Sequence, residues 1–567
     1  MAKGYDKELT GKLRKLTDYC FETISIEEYE KEISADLVGE PGSKRFAVFI
    51  SVCNTRERAT VFHASGVTLE EAVALACSKA IKGVKKNDIE PKWVKLEIVI
   101  RSEEMAIREA VDIMFSSYNE FFRRGISMDR HYQYAYTEGE INGNRLLNYK
   151  EKLFDLRTFN KYTMVRDDDV ILKTPSMLLL FDCAGYFCDD RDEIYSLYRE
   201  GYDCGRRIID EITPHDIRGV VGSSVRYLIS QMHPEGSFNY GYYPIFHKLI
   251  PGYNILRHTS TIWSLVCASQ VVSDKNLYRS TLSAIKYMLC EIAHYDNGIS
   301  YLVEAASDEI KLGGNGVAII TLTQFMKIYE TDEYIPICEE LGRGILGMMN
   351  PDGSYVHVLD PNTLDVKEEY RTVYYDGEAT FALCRLAAMT GSELWLEAAR
   401  RAVDHFIENG YEGFRDHWVA YAVNELTLLD PDPKYYDFAL RNIWVNLETI
   451  HKQPTSYHTY LELLMAGYET YRRVAESKMD LPILKDFDIR KVAETIFYRA
   501  RHMLNGYGYP EYVMYFKKPY FFRGAFFVRH DGYRVRIDDV QHFCGAYIAF
   551  YKRYDEIYKY MTQGSLD

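Results

Sequence analysis

The stretch from Tyr370 to Phe406 constrains the fold more than any other part of this sequence. An acidic pair, Asp376 and Glu378, opens an apolar segment with helical spacing, and a short turn at 390–392 leads into a second helical segment. Glycine and small polar residues at such a turn end one helix and cap the next. The stretch therefore predicts a helical hairpin with two carboxylates at one tip.

A similar helix start recurs along the C-terminal two thirds of the chain. Each copy has a capping side chain, an acidic residue near the first turn and an aromatic residue that can pack on a neighbour. The aromatic residues are Tyr278, Tyr334, Trp395 and Tyr435, with spacings of 56, 61 and 40 residues. These spacings exclude a solenoid of fixed period and favour constant hairpins joined by loops of variable length.

Six hairpins can be counted from these starts. The outer helices should begin near 215, 274, 332, 392, 433 and 487, and the inner helices near 254, 314, 377, 417, 457 and 539. Six antiparallel pairs predict a mainly α chain that folds as an (α/α)6 toroid, with the inner N-termini at one mouth. The long connections that enter this mouth, where function is usually built, are 233–253, 293–313, 350–376 and 506–537.

The N-terminal part predicts a smaller α/β domain. Two β-rich runs at 45–54 and 59–64 form a predicted hairpin, and 93–100 is a third predicted strand. Between them, Thr68 and Glu71 have the spacing of a capping box that begins a helix. We expect an N-terminal helix plus this domain at 1–170 and the toroid at 171–567.

Charge and composition exclude several classes of partner. The formal net charge is -15, which disfavours nucleic acid and acidic membrane surfaces. No apolar run reaches the roughly 18 residues of a membrane span, and the N-terminus lacks the apolar segment of a secretory signal. The eleven cysteines are scattered and odd in number, as in reduced proteins. We expect a cytoplasmic protein, and the sequence leaves open whether it forms a homo-oligomer.

The residues that begin the predicted inner helices carry the candidate chemistry. Each start has an ionisable or hydrogen-bonding side chain, and a closed ring would bring these groups into one funnel. Glycosidic bond cleavage needs one protonated and one ionised carboxyl group. The candidate catalytic residues are Asp376, Asp416 and Asp538. The candidate substrate-binding residues are Arg257, His258, Lys311, Tyr374, Tyr375, Glu378, His417, Trp418, His458, Asp539 and His542.

The working pair should come from different hairpins. Glu378 follows Asp376 by two residues, so the two carboxylates point about 200° apart on a helix. We therefore favour Asp376 with Asp416 or Asp538. Cationic side chains at the same mouth would bind a uronate or phosphate group; they are Arg257, His258 and Lys311. Aromatic side chains there would stack on sugar rings; they are Tyr374, Tyr375 and Trp418.

One loop carries a resemblance to a known group of enzymes. The loop contains Asn350-Pro351-Asp352-Gly353-Ser354, then His357 and Asp360-Pro361, and the hairpin at Asp376 follows it. It resembles the corresponding loop of unsaturated glucuronyl hydrolases, within the six-hairpin carbohydrate-active enzymes that also include polysaccharide lyases and sugar epimerases. The resemblance implies a toroid fold and a carbohydrate substrate. The tryptophan-rich inner-helix starts of those hydrolases are absent, so their catalytic pair is not carried over.

Metal and cofactor motifs are not found in the sequence. Cys183, Cys188 and Cys204 lack a fourth ligand at zinc spacing, and the acidic run 167–169 lacks the alternating oxygen ligands of a calcium loop. The glycine-rich phosphate loops GxGxxG and GxxxxGK[ST] do not occur. We therefore predict neither a metal nor a cofactor.

These features favour a glycoside hydrolase that acts on an acidic sugar or oligosaccharide with a carboxylate pair at the toroid mouth. Two alternatives remain. In a polysaccharide lyase or uronate C5-epimerase, a Tyr or His would remove the proton beside a carboxylate while Arg or Lys stabilises the enolate. In a non-catalytic scaffold, the same funnel would bind a glycan or peptide.

Overall fold

A computed structural model describes residues 4–24, 46–116, 120–166 and 172–564. The acidic run 167–169 lies outside the described residues. The chain divides into two compact units. Unit 1 comprises Met1–Asp210, Tyr242–Lys248 and Asn505–Arg534, and unit 2 comprises Glu211–Gly241, Leu249–Leu504 and Val535–Asp567.

Unit 1 is built on a seven-stranded sheet. Its order is β2-β1-β3-β6-β4-β5, with β7 paired to β6, and neighbouring strands are antiparallel. The strands are β1 (Phe46–Cys53), β2 (Thr60–Gly66), β3 (Trp93–Ala106), β4 (Gly125–Ser127), β5 (Ala135–Tyr136), β6 (Met177–Cys188) and β7 (Ile194–Ser196). The helices are α1 (Tyr5–Thr23), α2 (Leu69–Asn87), α3 (Ile107–Met114), α4 (Glu138–Gly143) and α5 (Leu156–Arg166).

Local signals explain the first half of this unit. The predicted hairpin is β1 with β2, and Thr68 caps α2 by accepting a hydrogen bond from the Glu71 backbone N–H at 3.2 Å. The apolar faces of α1 and α2 pack on the sheet around Leu16, Ala76 and Val48. Burial of these faces stabilises the unit because apolar surface leaves water.

The domain boundary differs from the predicted one at 170. The apolar run Met177–Cys188 is strand β6, which pairs with β3 in the middle of the sheet, so the first continuous segment of unit 1 extends to Asp210. A short apolar run without alternation fits a buried strand and a buried helix equally well. Its position beside helical sequence made it look like the start of the toroid.

Unit 2 is a ring of helical hairpins. The outer helices are α6 (Pro214–Ser230), α8 (Leu277–Cys290), α10 (Ile335–Gly347), α12 (Glu393–Glu408), α14 (Pro433–Trp444) and α17 (Ile489–Met503). The inner helices are α7 (Ile255–Ala268), α9 (Leu312–Tyr329), α11 (Tyr374–Thr390), α13 (His417–Leu429), α16 (Thr459–Ser477) and α19 (Ile537–Gln563). Each inner helix packs on the next, and α19 packs on α7. The ring is therefore closed, as an (α/α)6 toroid requires.

The connections carry short elements. The short helices are α15 (Leu447–Lys452) and, within unit 1, α18 (Pro510–Val513). The short strands are β8 (Gly241–Tyr243), β9 (Lys248–Leu249), β10 (Ile292–Tyr295), β11 (Ile299–Glu304), β12 (Glu309–Lys311), β13 (Val358–Leu359), β14 (Val366–Glu368) and β15 (Val535–Arg536). Strands β10 to β14 form one sheet in unit 2 from two of the long connections.

Two outer helices begin three residues later than predicted. Helices α8 and α10 begin at Leu277 and Ile335, each three residues after the predicted start. Asp274 accepts a hydrogen bond from the Asn276 N–H, and Thr331 accepts one from the Glu333 N–H, so these side chains close turns that precede the helices. A capping residue in sequence does not distinguish such a turn from the helix itself.

One of the long connections predicted to lie at the toroid mouth belongs to the other unit. The segment 505–534, expected on the toroid rim, belongs to unit 1. Connections on the opposite side from the inner N-termini reach eleven residues, at 478–488, where 2 to 5 were expected. Among the described residues, no helix is both long and apolar enough to cross a membrane.

Candidate functional site at the toroid mouth

We call the N-terminal ends of α7, α9, α11, α13, α16 and α19 the mouth of the toroid. Most predicted site residues lie in the first turns of these helices or just before them. Their side chains, however, have different surroundings. Some are enclosed and bonded, and others reach solvent.

Asp376, in the first turn of α11, is enclosed. Its Oδ1 accepts a hydrogen bond from Nε2 of His357 at 2.7 Å, and its Oδ2 accepts one from the Tyr411 hydroxyl at 2.8 Å. Nδ1 of His357 accepts from the Arg371 backbone N–H at 2.9 Å, so the proton of this imidazole is on Nε2. Both carboxylate oxygens therefore have a hydrogen-bond partner inside the fold, and a role of Asp376 in the working pair stays a prediction.

Glu378 and Asp416 form a second, buried carboxyl pair. Asp416 caps α13, and its Oδ1 accepts a hydrogen bond from the Trp418 backbone N–H at 2.8 Å. Two carboxyl oxygens, Oδ2 of Asp416 and Oε2 of Glu378, have no hydrogen-bond partner among the described residues. Burial raises the pKa of Glu378 well above its usual range, and the Asp416 charge adds to this. Burial also raises the pKa of Asp416. Oε2 of Glu378 fits only because Gly313 has no side chain: a Cβ there would lie 1.9 Å from it.

Asp538, in the first turn of α19, lies between two arginines. Its Oδ2 is 3.1 Å from Nε of Arg257 and 3.0 Å from a terminal nitrogen of Arg536, while Oδ1 has no partner in the described part of the chain. Burial and the neighbouring Asp539 raise its pKa although both arginines oppose this. Its side chain is 10 % exposed, against 3 % or less for Asp376 and Asp416.

His542 lies one turn further along α19 and is bonded to Glu462 of α16. Nδ1 of His542 donates to Oε2 of Glu462 at 2.8 Å, and the Tyr421 hydroxyl donates to Oε1 at 3.1 Å. Burial lowers the pKa of His542, but the charge and hydrogen bond of Glu462 outweigh it and raise the pKa overall. The His542 side chain is 14 % exposed and that of Glu462 is fully buried.

Two further histidines flank this pair. The ring of His458, before α16, stacks parallel to that of His542 with centroids 4.8 Å apart, and its Nε2 is 4.0 Å from Oδ1 of Asp539. His417, at the start of α13, is buried, and neither of its nitrogens has a hydrogen-bond partner among the described residues. Burial lowers its pKa well below the usual range, so this imidazole is neutral.

Aromatic rings form the floor of the mouth. Trp418 packs against Trp263 at 5.5 Å and against His417 at 5.0 Å between ring centroids. Tyr374 contacts the His417 ring and its hydroxyl lies 3.3 Å from that of Tyr457. Trp418, Trp263 and His417 are buried, so these rings pack mainly on one another.

Three predicted binding residues have side chains that are already engaged. Nε2 of His258 donates to the Ala284 carbonyl at 3.0 Å, and its Nδ1 accepts from the Tyr253 hydroxyl at 2.7 Å; burial lowers its pKa to about 4. Lys311 lies 3.5 Å from Glu309, and Tyr375 is buried. We correct the expectation that His258 faces a ligand, because both ring nitrogens are used inside the fold.

Sequence reasoning missed Glu462, Tyr421 and Arg536 as site residues. Glu462 lies in the first turn of α16, four residues after His458, so both share one helix face. That spacing was a usable signal, and so was Asp538 four residues before His542. The pairing of Glu462 with a histidine on another hairpin could not be read from sequence.

Comparisons with known proteins reach only distant similarities. No family model matches the chain. No curated protein matches it either. Among solved structures it is similar to a cellobiose 2-epimerase from Bacillus thermoamylovorans, with 11 % identity, a TM-score of 0.47 and coverage of 59 % of this chain and 98 % of that one.

Two other solved structures are a D-mannose isomerase and an unsaturated glucuronyl hydrolase specific for heparin. Their TM-scores are 0.45 and 0.41, both are 11 % identical, and each alignment covers 60 % of this chain and 98 % of the other. These are six-hairpin carbohydrate-active enzymes, the group that the sequence resembles. The assignment of the toroid rests on the helix packing in this protein, and the description of the site rests on the distances between its own side chains.

Proposed function

We propose that the toroid mouth is the active site of a carbohydrate-active enzyme that transfers a proton at a carbon next to the carbonyl group of a sugar. The observation that carries this proposal is the placement of Asp538 and His542 one turn apart on α19, where His542 is partly exposed and Asp538 is buried beside it. Residues four apart on a helix share a face, so one ligand can contact both.

The two side chains supply the two kinds of group that acid–base chemistry needs, a carboxyl group and an imidazole. Nδ1–H of His542 is held by Glu462, which leaves Nε2 as the basic nitrogen. Asp538 has a raised pKa, and its Oδ1 has no partner among the described residues, so it is suited to hold a proton. Glu462 raises the pKa of His542 as well, so His542 acts as the base in its neutral form.

The proposed step keeps atoms and charge in balance. His542 takes the proton from the carbon beside the carbonyl, the C–H electron pair becomes the C=C bond of an enediol, and the carbonyl oxygen takes the proton of Asp538. If the enediol turns over in the site, His542 returns the proton to the other face of the same carbon while the new O–H gives its proton back to Asp538, and the product is an epimer. If His542 protonates the former carbonyl carbon while the neighbouring hydroxyl group gives its proton to Asp538, the product is the isomeric ketose or aldose.

The charge of the mouth favours a neutral sugar over the acidic one that the sequence suggested. Arg257 and Arg536 both bind Asp538, and Lys311 lies within 4 Å of Glu304 and Glu309. Positive charge that is already paired attracts a uronate weakly. Sugar hydroxyl groups can instead form hydrogen bonds with these paired groups.

Hydrolysis is the second candidate, and one observation favours it. Glu378 and Asp416 come from adjacent inner helices, each has an unpartnered oxygen, and burial raises the pKa of both. A carboxyl group that keeps its proton near neutral pH can protonate a leaving glycosidic oxygen. Access of a sugar to this buried pair would require movement of the surrounding side chains.

The experiment is proton exchange in D2O. The protein is incubated with a panel of neutral aldoses, ketoses and disaccharides, and proton NMR follows loss of the signal at the carbon beside the carbonyl. We expect exchange with at least one sugar, and a fall of about 10²- to 10⁴-fold for Asp538→Asn and for His542→Gln. Asp555→Asn, an exposed change on the same helix, is the control and should exchange normally.

The outcomes separate the candidate reactions. New reducing ends without exchange would support hydrolysis, and absorbance of an unsaturated uronate from an acidic substrate would support a lyase. Binding without any turnover would support a scaffold. Each of these results would overturn the proposed proton transfer, and so would full activity of His542→Gln.

A further inference from the structure

His417 is an unusual buried histidine. It is 2 % exposed, and neither Nδ1 nor Nε2 has a hydrogen-bond partner among the described residues. A buried polar group without a partner costs about 1–3 kcal/mol, so each such group calls for an explanation such as an absent ligand. The acid–base step proposed above does not use this imidazole.

The nitrogens of His417 lie close to two other metal-binding groups. Nε2 is 3.8 Å from Oε2 of Glu462, and the same oxygen is 2.8 Å from Nδ1 of His542. One ligand atom from each of the three residues lies within 4.8 Å of the other two. Ligand atoms bound to one ion at about 2.0–2.1 Å lie roughly 3–4 Å apart, so small side-chain movements would suffice.

We propose that His417, Glu462 and His542 bind a divalent transition-metal ion of the zinc class. Two imidazoles and one carboxylate are a set that such ions prefer, and three protein ligands leave positions open for water or a sugar hydroxyl. The ligands come from α13, α16 and α19, which pack consecutively in the inner ring. The ion would bind the lone pair of a His417 ring nitrogen, which has no hydrogen-bond donor among the described residues.

The surroundings also fit a bound cation. The Tyr421 hydroxyl donates to Oε1 of Glu462 and so orients the carboxylate. Groups that bond to the far side of metal ligands fix their orientation. Gly545 leaves room for the carboxylate, since a Cβ there would be 3.1 Å from Oε1 of Glu462.

This inference shares His542 with the proposed function but does not depend on it. Metal binding can be measured without a sugar, and proton exchange can be measured in the presence of a chelator. An ion that uses the imidazole of His542 and the carboxylate of Glu462 would remove the base from proton transfer. If both proposals hold, zinc should inhibit exchange and the chelator should restore it.

The test is titration of the full-length, chelator-treated protein with Co²⁺, followed by visible absorption and calorimetry. We expect one Co²⁺ per chain, displaced by Zn²⁺, and an affinity lowered at least about 10-fold in His417→Gln and in Glu462→Gln. His451→Gln is the matched control, since His451 is an exposed histidine on α15 that stacks on Tyr498, and it should bind normally.

A second measurement uses the unaltered protein, so the inference stays testable if a variant fails to fold. X-ray absorption of the Zn²⁺-loaded protein should show two imidazoles with oxygen ligands and no sulfur. No binding, binding unaffected by His417→Gln, or a sulfur-ligated ion would each overturn the proposal. None of these results would bear on the proton-exchange experiment.

Discussion

Nδ1 of His542 lies 2.8 Å from Oε2 of Glu462 and joins the inner helices α19 and α16 at the mouth of the toroid. The carboxylate is fully buried and the imidazole reaches solvent, so charge on Glu462 acts on His542 with little screening by water. This contact couples two hairpins that are about 80 residues apart in sequence. It also fixes the tautomer of His542, with the proton on Nδ1.

The first prediction concerns Glu462. Glu462→Gln keeps a side chain of the same size but removes the charge that makes His542 basic. We expect kcat for proton exchange to fall by about 10²-fold with a small change in KM, because the carboxylate acts through the base and does not contact the sugar.

The matched control is Glu469→Gln on the same helix. Glu469 forms ion pairs with Arg472 and Arg553, and its loss should change kcat less than about threefold. Equal losses of kcat in the two variants would show that Glu462 acts only through the stability of α16.

The second prediction separates Asp376 from Asp538. Asp376→Asn replaces one acceptor oxygen by a donor, so the bond to His357 or to Tyr411 is weakened. We expect the free energy of unfolding in urea to fall by about 1–3 kcal/mol while kcat stays within a few-fold. Asp538→Asn should show the opposite pattern, with lost exchange and nearly unchanged stability.

Loss of turnover in fully stable Asp376→Asn would restore the role that the sequence suggested. In that case the bonds to His357 and Tyr411 would hold a reacting carboxylate in position. Urea unfolding and the exchange assay, run on the same preparations, decide between the two roles.

The fold could be predicted in large part because its signals are local. Capping residues, first-turn acids and turn glycines act within a few residues, so inner starts at 254, 314, 377, 417, 457 and 539 fall within three residues of the observed ones. Strand β6 could not be assigned, because its helix-like apolar run becomes a strand only by pairing with β3. That partner is about 80 residues away in sequence.

The site could be predicted less well, because position on a helix does not determine what a side chain contacts. Asp376 and Asp538 occupy equivalent first turns, yet one is enclosed by His357 and Tyr411 and the other lies between arginines. Arg257 comes from another hairpin, and His357 and Tyr411 lie 19 and 35 residues from Asp376 in the chain. Glu462 was missed for the same reason, since nothing near it in sequence marks its bond to His542.

The third prediction concerns pH and His258. Burial lowers the pKa of this imidazole from 6.5 to about 4, so the unfolded chain binds a proton at pH values where the folded protein does not. Its contribution to stability is complete above about pH 6.5 and is lost as the pH falls towards 4. We expect a loss of about 2 kcal/mol between pH 7 and pH 5 from this group alone.

Urea unfolding of the protein and of His258→Gln measures this contribution. Glutamine can donate to Ala284 and does not titrate, so the variant should be less sensitive to the change from pH 7 to pH 5. An equal loss of stability in both proteins would contradict the assignment of His258 as a buried neutral group.

The last prediction concerns Glu138, at the start of α4 in unit 1. Its carboxylate is 3.8 Å from Nε of Arg123, but burial outweighs this attraction and raises its pKa from 4.5 to about 7. The folded protein therefore holds a proton that the unfolded chain releases, so stability is lost as the pH rises from 4.5 through 7.

Glu138→Gln resembles the protonated side chain at every pH. We expect this variant to be more stable than the unaltered protein at pH 8, by about 1–3 kcal/mol, and of nearly equal stability at pH 4.5, where the glutamate is protonated in the folded protein and about half protonated in the unfolded chain. Urea unfolding at the two pH values measures the difference. Glu57→Gln, an exposed change in the turn between β1 and β2, should have no such effect. A variant that is less stable at pH 8 would mean that the ion pair with Arg123 outweighs burial, and that Glu138 is ionised in the folded protein.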